Sequence, residues 1–198
     1  MKAKLTTAAL LRAYAQGFFP MAEPGEGPIG WYSPDPRTII PLDGLRVTRS
    51  LKRTVERGTF AITTDQDFPA VIEGCSERGE TWISPEIRAA YTKLWKEGYA
   101  HSVESRSGGV LVGGLYGVAL GGAFFGESMF SRRTDASKAA LVHLVRILRE
   151  SGFTLLDAQF MTPHLARFGA IEIPRDEYLR LLSLAAGKKA FFPPPGPK

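Results

Sequence analysis

The stretch Val110-Leu111-Val112-Gly113-Gly114-Leu115-Tyr116-Gly117-Val118, and beyond Gly121 the stretch Gly122-Ala123-Phe124-Phe125-Gly126, decide how this chain folds. Both runs are short and apolar, and the Gly121-Gly122 pair between them is a turn signal. They read as two strands of an antiparallel hairpin at the centre of a sheet. The spacings Gly113/Gly117 and Gly117/Gly121 suit bends or close backbone approach within strands better than a helix-packing motif.

Working outward, further strand-like runs appear at Phe60–Thr63, Ala100–Glu104, Leu155–Phe160 and Ala170–Ile173. Helical signals alternate with them. Thr6 or Thr7 can cap a helix with Leu10, Leu11 and Tyr14 on its apolar stripe, ended by Gly17. Ser84-Pro85-Glu86 is an N-cap followed by proline at the first helical position, and Ile87, Ala90, Tyr91, Leu94 and Trp95 form the buried face behind it. Asp135 opens a helix with Leu141, Leu144, Val145 and Leu148 inward. Thr162-Pro163 starts a short turn, and Asp176 opens a last helix. Gly17–Asp43, with six of the fourteen prolines, reads as extended loop. The expectation is an α+β protein: a small N-terminal domain over residues 1–65, then residues 66–198 as a mixed, largely antiparallel sheet flanked by helices. The order helix, strand, hairpin, helix, strand, short helix, strand is that of a GNAT-type N-acyltransferase. Such enzymes hold acyl-CoA through a glycine-rich turn before the central helix. Here that place is Ser131-Arg132-Arg133-Thr134-Asp135-Ala136-Ser137-Lys138, which has no glycine. The tail Phe191-Phe192-Pro193-Pro194-Pro195-Gly196-Pro197 reads as a packed aromatic pair followed by a disordered end.

Composition excludes several classes. With 198 residues, 44% hydrophobic and 23% charged, the chain can build a core without staples. The lone Cys75 permits no internal disulfide, and it reads as a small buried hydrophobe rather than a nucleophile. His101, His143 and His164 are scattered without metal-ligand spacing, no Walker loop occurs, and no metal or cofactor is expected. No run approaches the ~20 apolar residues of a membrane span, and the basic start Met1-Lys2-Ala3-Lys4 leads into an amphipathic segment with Arg12, so the cytoplasm is the expected compartment. A net charge of +5 favours a polyanionic partner. The densest basic stretch is Arg46, Arg49, Lys52, Arg53 and Arg57. On a helix from Ser50 onward, Lys52, Arg53 and Arg57 share a face with Arg49 one turn before, and the stretch offers either a solvated face or a phosphate-binding one.

The chemistry concentrates in Gly126-Glu127-Ser128-Met129-Phe130-Ser131 and Leu155-Leu156-Asp157-Ala158-Gln159-Phe160. Along a strand, Asp157 and Gln159 point to one face, while Leu156, Ala158 and Phe160 point to the other. Two polar groups on an otherwise apolar central strand form either a structural hydrogen-bond network or the polar floor of a cleft, because unpaired burial costs ~1–3 kcal/mol each. Glu127 is either an exposed hairpin acid or a carboxylate facing a cationic amine across an apolar pocket.

Read together, these blocks resemble the leucyl/phenylalanyl-tRNA–protein transferases of bacteria. The similarity runs through Leu10–Pro20, Trp31-Tyr32-Ser33-Pro34-Asp35-Pro36-Arg37, Thr81-Trp82-Ile83 and Ala100–Glu104. It continues through Leu111–Gly117, Gly126–Ser131, Ala136-Ser137-Lys138, His164-Leu165 and Gly169-Ala170. The resemblance implies a small N-terminal domain and a GNAT-like C-terminal domain. It implies transfer of Leu, Phe and less readily Met from tRNA to proteins beginning with Arg or Lys, whose new N-termini mark them for degradation. It places the catalytic pair on Asp157 and Gln159, and the pocket glutamate on Glu127. The hydrophobic pocket falls on Leu115, Phe124, Leu144 and Leu156, with Trp82 nearby. The glycine-leucine-rich segment with which many members begin is lacking, so a trimmed N-terminal domain is expected. Met21 stands where tryptophan is familiar beside the terminal adenosine, and an indole stacks better than a thioether. A monomer is expected.

Gln159 is too weak a base to take a proton by itself, so its expected role is to orient the attacking amine as an acceptor, polarised by Asp157, with a tRNA hydroxyl as the alternative carrier of the proton. Glu127 would hold the donor's own α-ammonium, and the basic helix would hold tRNA phosphates. Two rivals remain at this point. One is an acyl-CoA N-acetyltransferase, which needs a pyrophosphate loop; the other is a non-catalytic RNA-binding relative, which needs no Asp157, Gln159 and Glu127 together.

Overall fold

The computed structural model describes residues 5–23, 27–77 and 81–194. The basic start and the last four residues of the proline-rich tail lie outside them. In chain order the elements are α1 (Thr7–Ala15), β1 (Phe19–Ala22), β2 (Ile29–Tyr32), β3 (Arg37–Ile39), α2 (Arg49–Glu56), β4 (Ala61–Thr64), α3 (Phe68–Ser76) and α4 (Pro85–Lys96). They continue with β5 (Ala100–Ser107), β6 (Val110–Leu120), β7 (Ala123–Ser131), α5 (Ala136–Glu150), β8 (Leu155–Gln159), α6 (Pro163–Arg167), β9 (Ile171–Ile173) and α7 (Arg175–Ala186). A seven-stranded sheet runs β4-β5-β6-β7-β8-β3-β9, and β1 and β2 form a separate ribbon. Every pairing is antiparallel except that of β7 with β8. This is the mixed, largely antiparallel sheet flanked by helices expected from the element order.

The central hairpin is β6–β7, turning at Gly121-Gly122. Gly121 has φ of +55°, in the left-handed region that glycine enters freely. Gly113 serves close approach: a Cβ there would sit 2.6 Å from that of Ala136, where α5 begins. Alternation along the strands sorts side chains into two cores. Tyr116, Val118 and Phe125 pack with α1, α3, α4 and α7 through Leu10, Tyr14, Phe68, Ile72, Tyr91 and Tyr178. Leu115, Phe124 and Leu156 pack on the other face with Leu141, Leu144 and Leu148 of α5 and Leu51 of α2. Helices therefore cover both faces, as a central sheet carrying apolar residues on both sides requires.

Three segments differ from expectation. The proline-rich segment read as loop contains β1, β2 and β3, and β3 lies between β8 and β9. With β3 and β4 both ahead of residue 66, the main sheet runs across that point of the chain. Residues 68–76 form α3, which the sequence reading left without an assignment; its stripe Phe68, Val71, Ile72 and Cys75 is buried. Of the tail's two phenylalanines, Phe192 packs, stacking on His101 and Phe124, whereas Phe191 is exposed. Among the described residues, no helix is long and apolar enough to cross a membrane.

Candidate active site

The parallel pair β7/β8 is short. It is registered only at Ala123↔Leu155, Phe124↔Leu156 and Phe125↔Asp157. Beyond Phe125 the two strands part, and a cavity of about 820 Å³ fills the gap. Its lining comes from both faces of the sheet: Leu115, Leu141, Leu144 and Leu156 from the α5 side, and Glu127, Asp157 and Gln159 from the other. A greasy recess therefore meets a polar floor where a sheet would otherwise be continuous.

The floor is a chain of hydrogen bonds. Asp157 is fully buried and accepts from Arg37 Nε (2.9 Å) and Nη2 (2.5 Å), from the Tyr178 hydroxyl (2.7 Å) and from the backbone N–H of Gln159 (2.9 Å). Arg37 is equally buried. Its guanidinium lies between the rings of Phe19 and Tyr178 and donates to the carbonyl of Gly17. Burial opposes its charge, but the hydrogen bonds and charge of Asp157 win and hold its pKa above the usual value. Burial and the Asp157 charge push the Tyr178 hydroxyl up, so it stays a donor.

Gln159 closes β8 with φ of +66°, a conformation that costs a non-glycine residue about 1–3 kcal/mol and persists only where its surroundings fix it. Asp157 fixes its N–H, and its amide nitrogen donates to Glu127 Oε1 (3.0 Å). That orientation leaves the amide oxygen as an acceptor beside the cavity. Glu127 also accepts from Tyr14 of α1 (2.7 Å) and Tyr91 of α4 (3.1 Å), whose hydroxyls touch each other. Burial raises the Glu127 carboxyl to about 7, with Asp157 adding to the rise, while the two tyrosine hydroxyls and Arg37 pull the other way. Both tyrosines are held above the ordinary phenol range, chiefly by burial and then by the Glu127 charge.

Glu127, Leu115, Leu144, Leu156, Trp82, Met21, Asp157 and Gln159 are thus brought to one cavity. Met21 and Trp82 meet because the N–H of Ala22 donates to the Trp82 carbonyl (3.2 Å). Phe124 is not among them. It lies on the paired part of β7, before the strands separate, fully buried against Phe153 and Phe192. The expected polarisation of Gln159 by Asp157 is also corrected. Asp157 reaches only its backbone, and the carboxylate on its amide is Glu127. Arg46, Arg49, Lys52, Arg53 and Arg57 are exposed on and beside α2, outside the cavity lining. Trp31 is exposed in the β1–β2 ribbon opposite Pro20.

Sequence reasoning missed Arg37, Tyr14, Tyr91 and Tyr178. The tyrosines carried a usable signal, since a phenol on a buried helix face needs a partner for its hydroxyl. Phe160 and His164 also line the cavity. Burial, then Lys138 and Arg167, lowers the His164 pKa and so favours its neutral ring. Among the described residues, no three His, Cys, Asp or Glu side chains are grouped to hold a metal ion.

Comparison with known proteins gives a consistent result. A family model described as leucyl/phenylalanyl-tRNA protein transferase matches residues 39–183, and the model of that family's N-terminal domain matches residues 3–35. A leucyl/phenylalanyl-tRNA–protein transferase of Cereibacter sphaeroides is 55% identical over 193 residues, 97% of this chain and 90% of that protein. One of Rubrobacter xylanophilus is 56% identical over 183 residues, 92% of this chain and 95% of that protein. Among solved structures, L-PGS from Bacillus licheniformis aligns with 87% of this chain and 67% of its own, at 11% identity and a TM-score of 0.48. A ribosomal-protein-alanine N-acetyltransferase from Brucella melitensis biovar Abortus aligns with 55% of this chain and 85% of its own, at 18% identity and a TM-score of 0.40.

Proposed function

Because the chain belongs to the leucyl/phenylalanyl-tRNA–protein transferase family, we propose that it moves leucyl, phenylalanyl and, less readily, methionyl groups from tRNA onto proteins that begin with Arg or Lys. The observation that carries this reading is Glu127, a buried carboxylate whose hydrogen-bond donors among the described residues are neutral, at the floor of an apolar cavity. A cation small enough to enter would recover the charge compensation that burial withholds. The α-ammonium of an aminoacyl ester is such a cation, attached to a side chain that Leu115, Leu144 and Leu156 would receive. An apolar recess separates side chains by only about 1–3 kcal/mol per methylene, which suits an enzyme accepting several large apolar donors.

The acceptor's α-amine has an unperturbed pKa of about 7.7–8.0, so a useful fraction is neutral at pH 7 without a strong base. Gln159 accepts a hydrogen bond from that amine through its amide oxygen and aims the nitrogen at the ester carbon. Its amide nitrogen is polarised by Glu127. The C–N bond forms, the carbonyl oxygen takes up the electron pair and returns it, and the bond to the ribose oxygen breaks. The proton lost from nitrogen ends on that oxygen, so an ester and an amine give an amide and an alcohol with no cofactor. Positioning of this kind supplies much of an acyl transfer's acceleration. Asp157, whose carboxylate is taken up by Arg37, Tyr178 and the Gln159 N–H, is a positioning residue that holds Gln159 in its strained conformation. Arg46, Arg49, Lys52, Arg53 and Arg57 would hold tRNA phosphates without regard to sequence. The product is an N-degron substrate, and the enzyme works in the cytoplasm as a monomer.

The acyl-CoA rival meets a physical objection. Of the amides that a pyrophosphate would use at the start of α5, that of Ala136 donates to the Arg133 carbonyl (3.1 Å) and that of Ser137 to the Ser131 hydroxyl (3.3 Å). The test is to incubate the protein with leucyl-tRNA and a peptide beginning with Arg. Transfer that ribonuclease abolishes is expected. Transfer from acetyl-CoA alone, or tRNA binding without turnover, would overturn the reading.

A further inference from the structure

Among the described residues three carboxylates line the cavity, and two of them already have a place in the reading above. Asp157 is held by Arg37, and Glu127 sits at the floor under Tyr14, Tyr91 and Gln159. The third, Glu77, follows α3 at the rim, and its side chain is half exposed. It already holds a guanidinium: Arg132 Nη2 lies 2.8 Å from both of its oxygens. We propose that Glu77 reads the cationic side chain of the acceptor's first residue, and that Arg132 occupies its place until an acceptor arrives. The proposal rests on the transfer reading above and names the residue that selects the acceptor.

The form of the pair favours exchange. A single nitrogen of Arg132 serves both oxygens, whereas the strong arrangement for guanidinium and carboxylate uses two parallel N–H donors. An incoming arginine can make that fork. Both partners are about half in solvent, at 47% and 51% side-chain exposure, and exposed pairs of this kind hold little free energy. Arg132 also has somewhere to stay, since its guanidinium lies 5.2 Å from the centre of the Phe130 ring. Displacement from Glu77 therefore leaves it partly supported.

The spacing suits a long cation. After Phe125, the edge of β7 facing the cavity runs from Glu127, where the donor would be anchored, to Arg132 just past the strand's end. At ~3.3 Å per residue those two Cα atoms are roughly 16 Å apart. Donor and acceptor residues, once joined, cover one Cα step of ~3.8 Å. The rest must come from the anchoring side chains and from a long acceptor side chain, as Arg and Lys have. A short or acidic first residue would neither reach Glu77 nor release Arg132 from it.

The test compares peptides beginning with Arg and with citrulline, which has the same shape without the charge, using leucyl-tRNA as donor. The native protein should favour Arg in kcat/KM by about tenfold, the scale of one well-placed charge pair. In Glu77→Gln that ratio should fall to about 1–2 through a higher KM for the Arg peptide, with kcat and the citrulline peptide unchanged. Arg132→Gln should lower the KM of the Arg peptide by ~2–5-fold and leave citrulline alone, because an internal competitor has gone. Glu77→Asp should keep part of the preference. An unchanged Arg-to-citrulline ratio in Glu77→Gln would overturn the proposal. So would an equal loss for both peptides, which would mark the pair as a structural tie. A native protein that transfers leucine but does not distinguish Arg from citrulline would remove the basic-acceptor reading itself.

Discussion

The two ends of Gln159 lie in contrasting surroundings. At its backbone end Asp157 is matched by Arg37, a buried cation on β3, with Tyr178 completing its shell. At its amide end Glu127 is also buried, but among the described residues its hydrogen-bond donors are neutral, two phenols and the amide itself, and the Arg37 charge acts on it only from beyond hydrogen-bond contact. A buried carboxylate with its own fixed cation has nothing left to bind, so it serves the scaffold. One with neutral donors alone keeps an unmet demand for positive charge, and burial raises its carboxyl to about 7 as a result. Where such a group floors a cavity, we propose that a ligand supplies the missing cation. On that proposal the residues that resembled one catalytic cluster in the sequence divide into a brace and a receptor, with Gln159 between them.

Removing the brace should have the largest effect. Arg37→Ala leaves Asp157 charged, buried and unmatched, and truncating one partner of such a pair typically costs about 3–5 kcal/mol. Urea unfolding should show that loss, and turnover at temperatures where the variant is still folded should fall by ~10²-fold as Gln159 relaxes from its left-handed backbone. Unfolding at the native midpoint would mean that the pair braces nothing. The receptor end should respond to pH instead. The Glu127 carboxyl lies at about 7 in the folded protein against 4.5 unfolded, so between those values the folded state binds more protons. Its contribution to stability is fully present below pH ~4.5 and is lost as pH rises through about 7, a change of roughly 3 kcal/mol at most. Glu127→Gln should flatten that decline in a series of denaturation curves. An undiminished slope in the variant would assign the decline to other groups.

Glu127→Gln also tests the receptor directly. With leucyl-tRNA, kcat/KM should fall by ~10²-fold while the fold at pH 7 is no less stable. Native protein should reject N-acetyl-leucyl-tRNA, and the variant should treat acetylated and free donors nearly alike. A variant that still prefers the free amine would place the ammonium elsewhere in the cavity.

How much of this was legible depended on sequence distance. Asp157 and Gln159 share a strand, and alternation alone puts them on one face. Glu127 joins them through the family resemblance, because its glycine and aromatic neighbours announce a central hairpin but leave it either an exposed acid or a pocket carboxylate. Local signals give the hairpin and the order of elements along the chain, not the place of β3 between β8 and β9. The cation that defines the role of Asp157 was not readable in this way. Arg37 comes from a three-residue strand inside a proline-rich segment and enters the sheet 120 positions from its partner. No period or propensity reports such an insertion. Helix α3 was hidden differently. Phe68, Val71, Ile72 and Cys75 have helical spacing, but Pro69 and Gly74 mask it. Gly74 is there because a Cβ would meet the Phe130 ring at 2.8 Å, a packing constraint visible only in three dimensions. Phe124 shows the opposite limit: its apolar character was right, but which apolar residues face a gap depends on where two strands separate.

The smallest effect should come from a place that touches neither carboxylate. Helix α2 rests on α5 through Leu51 and turns Arg49, Lys52 and Arg53 to solvent. Lys52 is 3.7 Å from Glu56 in an exposed i,i+4 pair, which contributes little to stability. Lys52→Ala with Arg53→Ala should therefore leave the unfolding midpoint and the single-turnover rate at saturating donor unchanged. What should change is the approach of tRNA. Each lost phosphate contact lowers the slope of log affinity against log salt by about 1, so the double variant should bind about tenfold more weakly in dilute salt and converge on the native protein as salt rises. A reduced chemical rate with an unaltered salt slope would mean that α2 acts on the cavity rather than on the tRNA body. The division between a brace, a receptor and a separate electrostatic grip would then have to be redrawn.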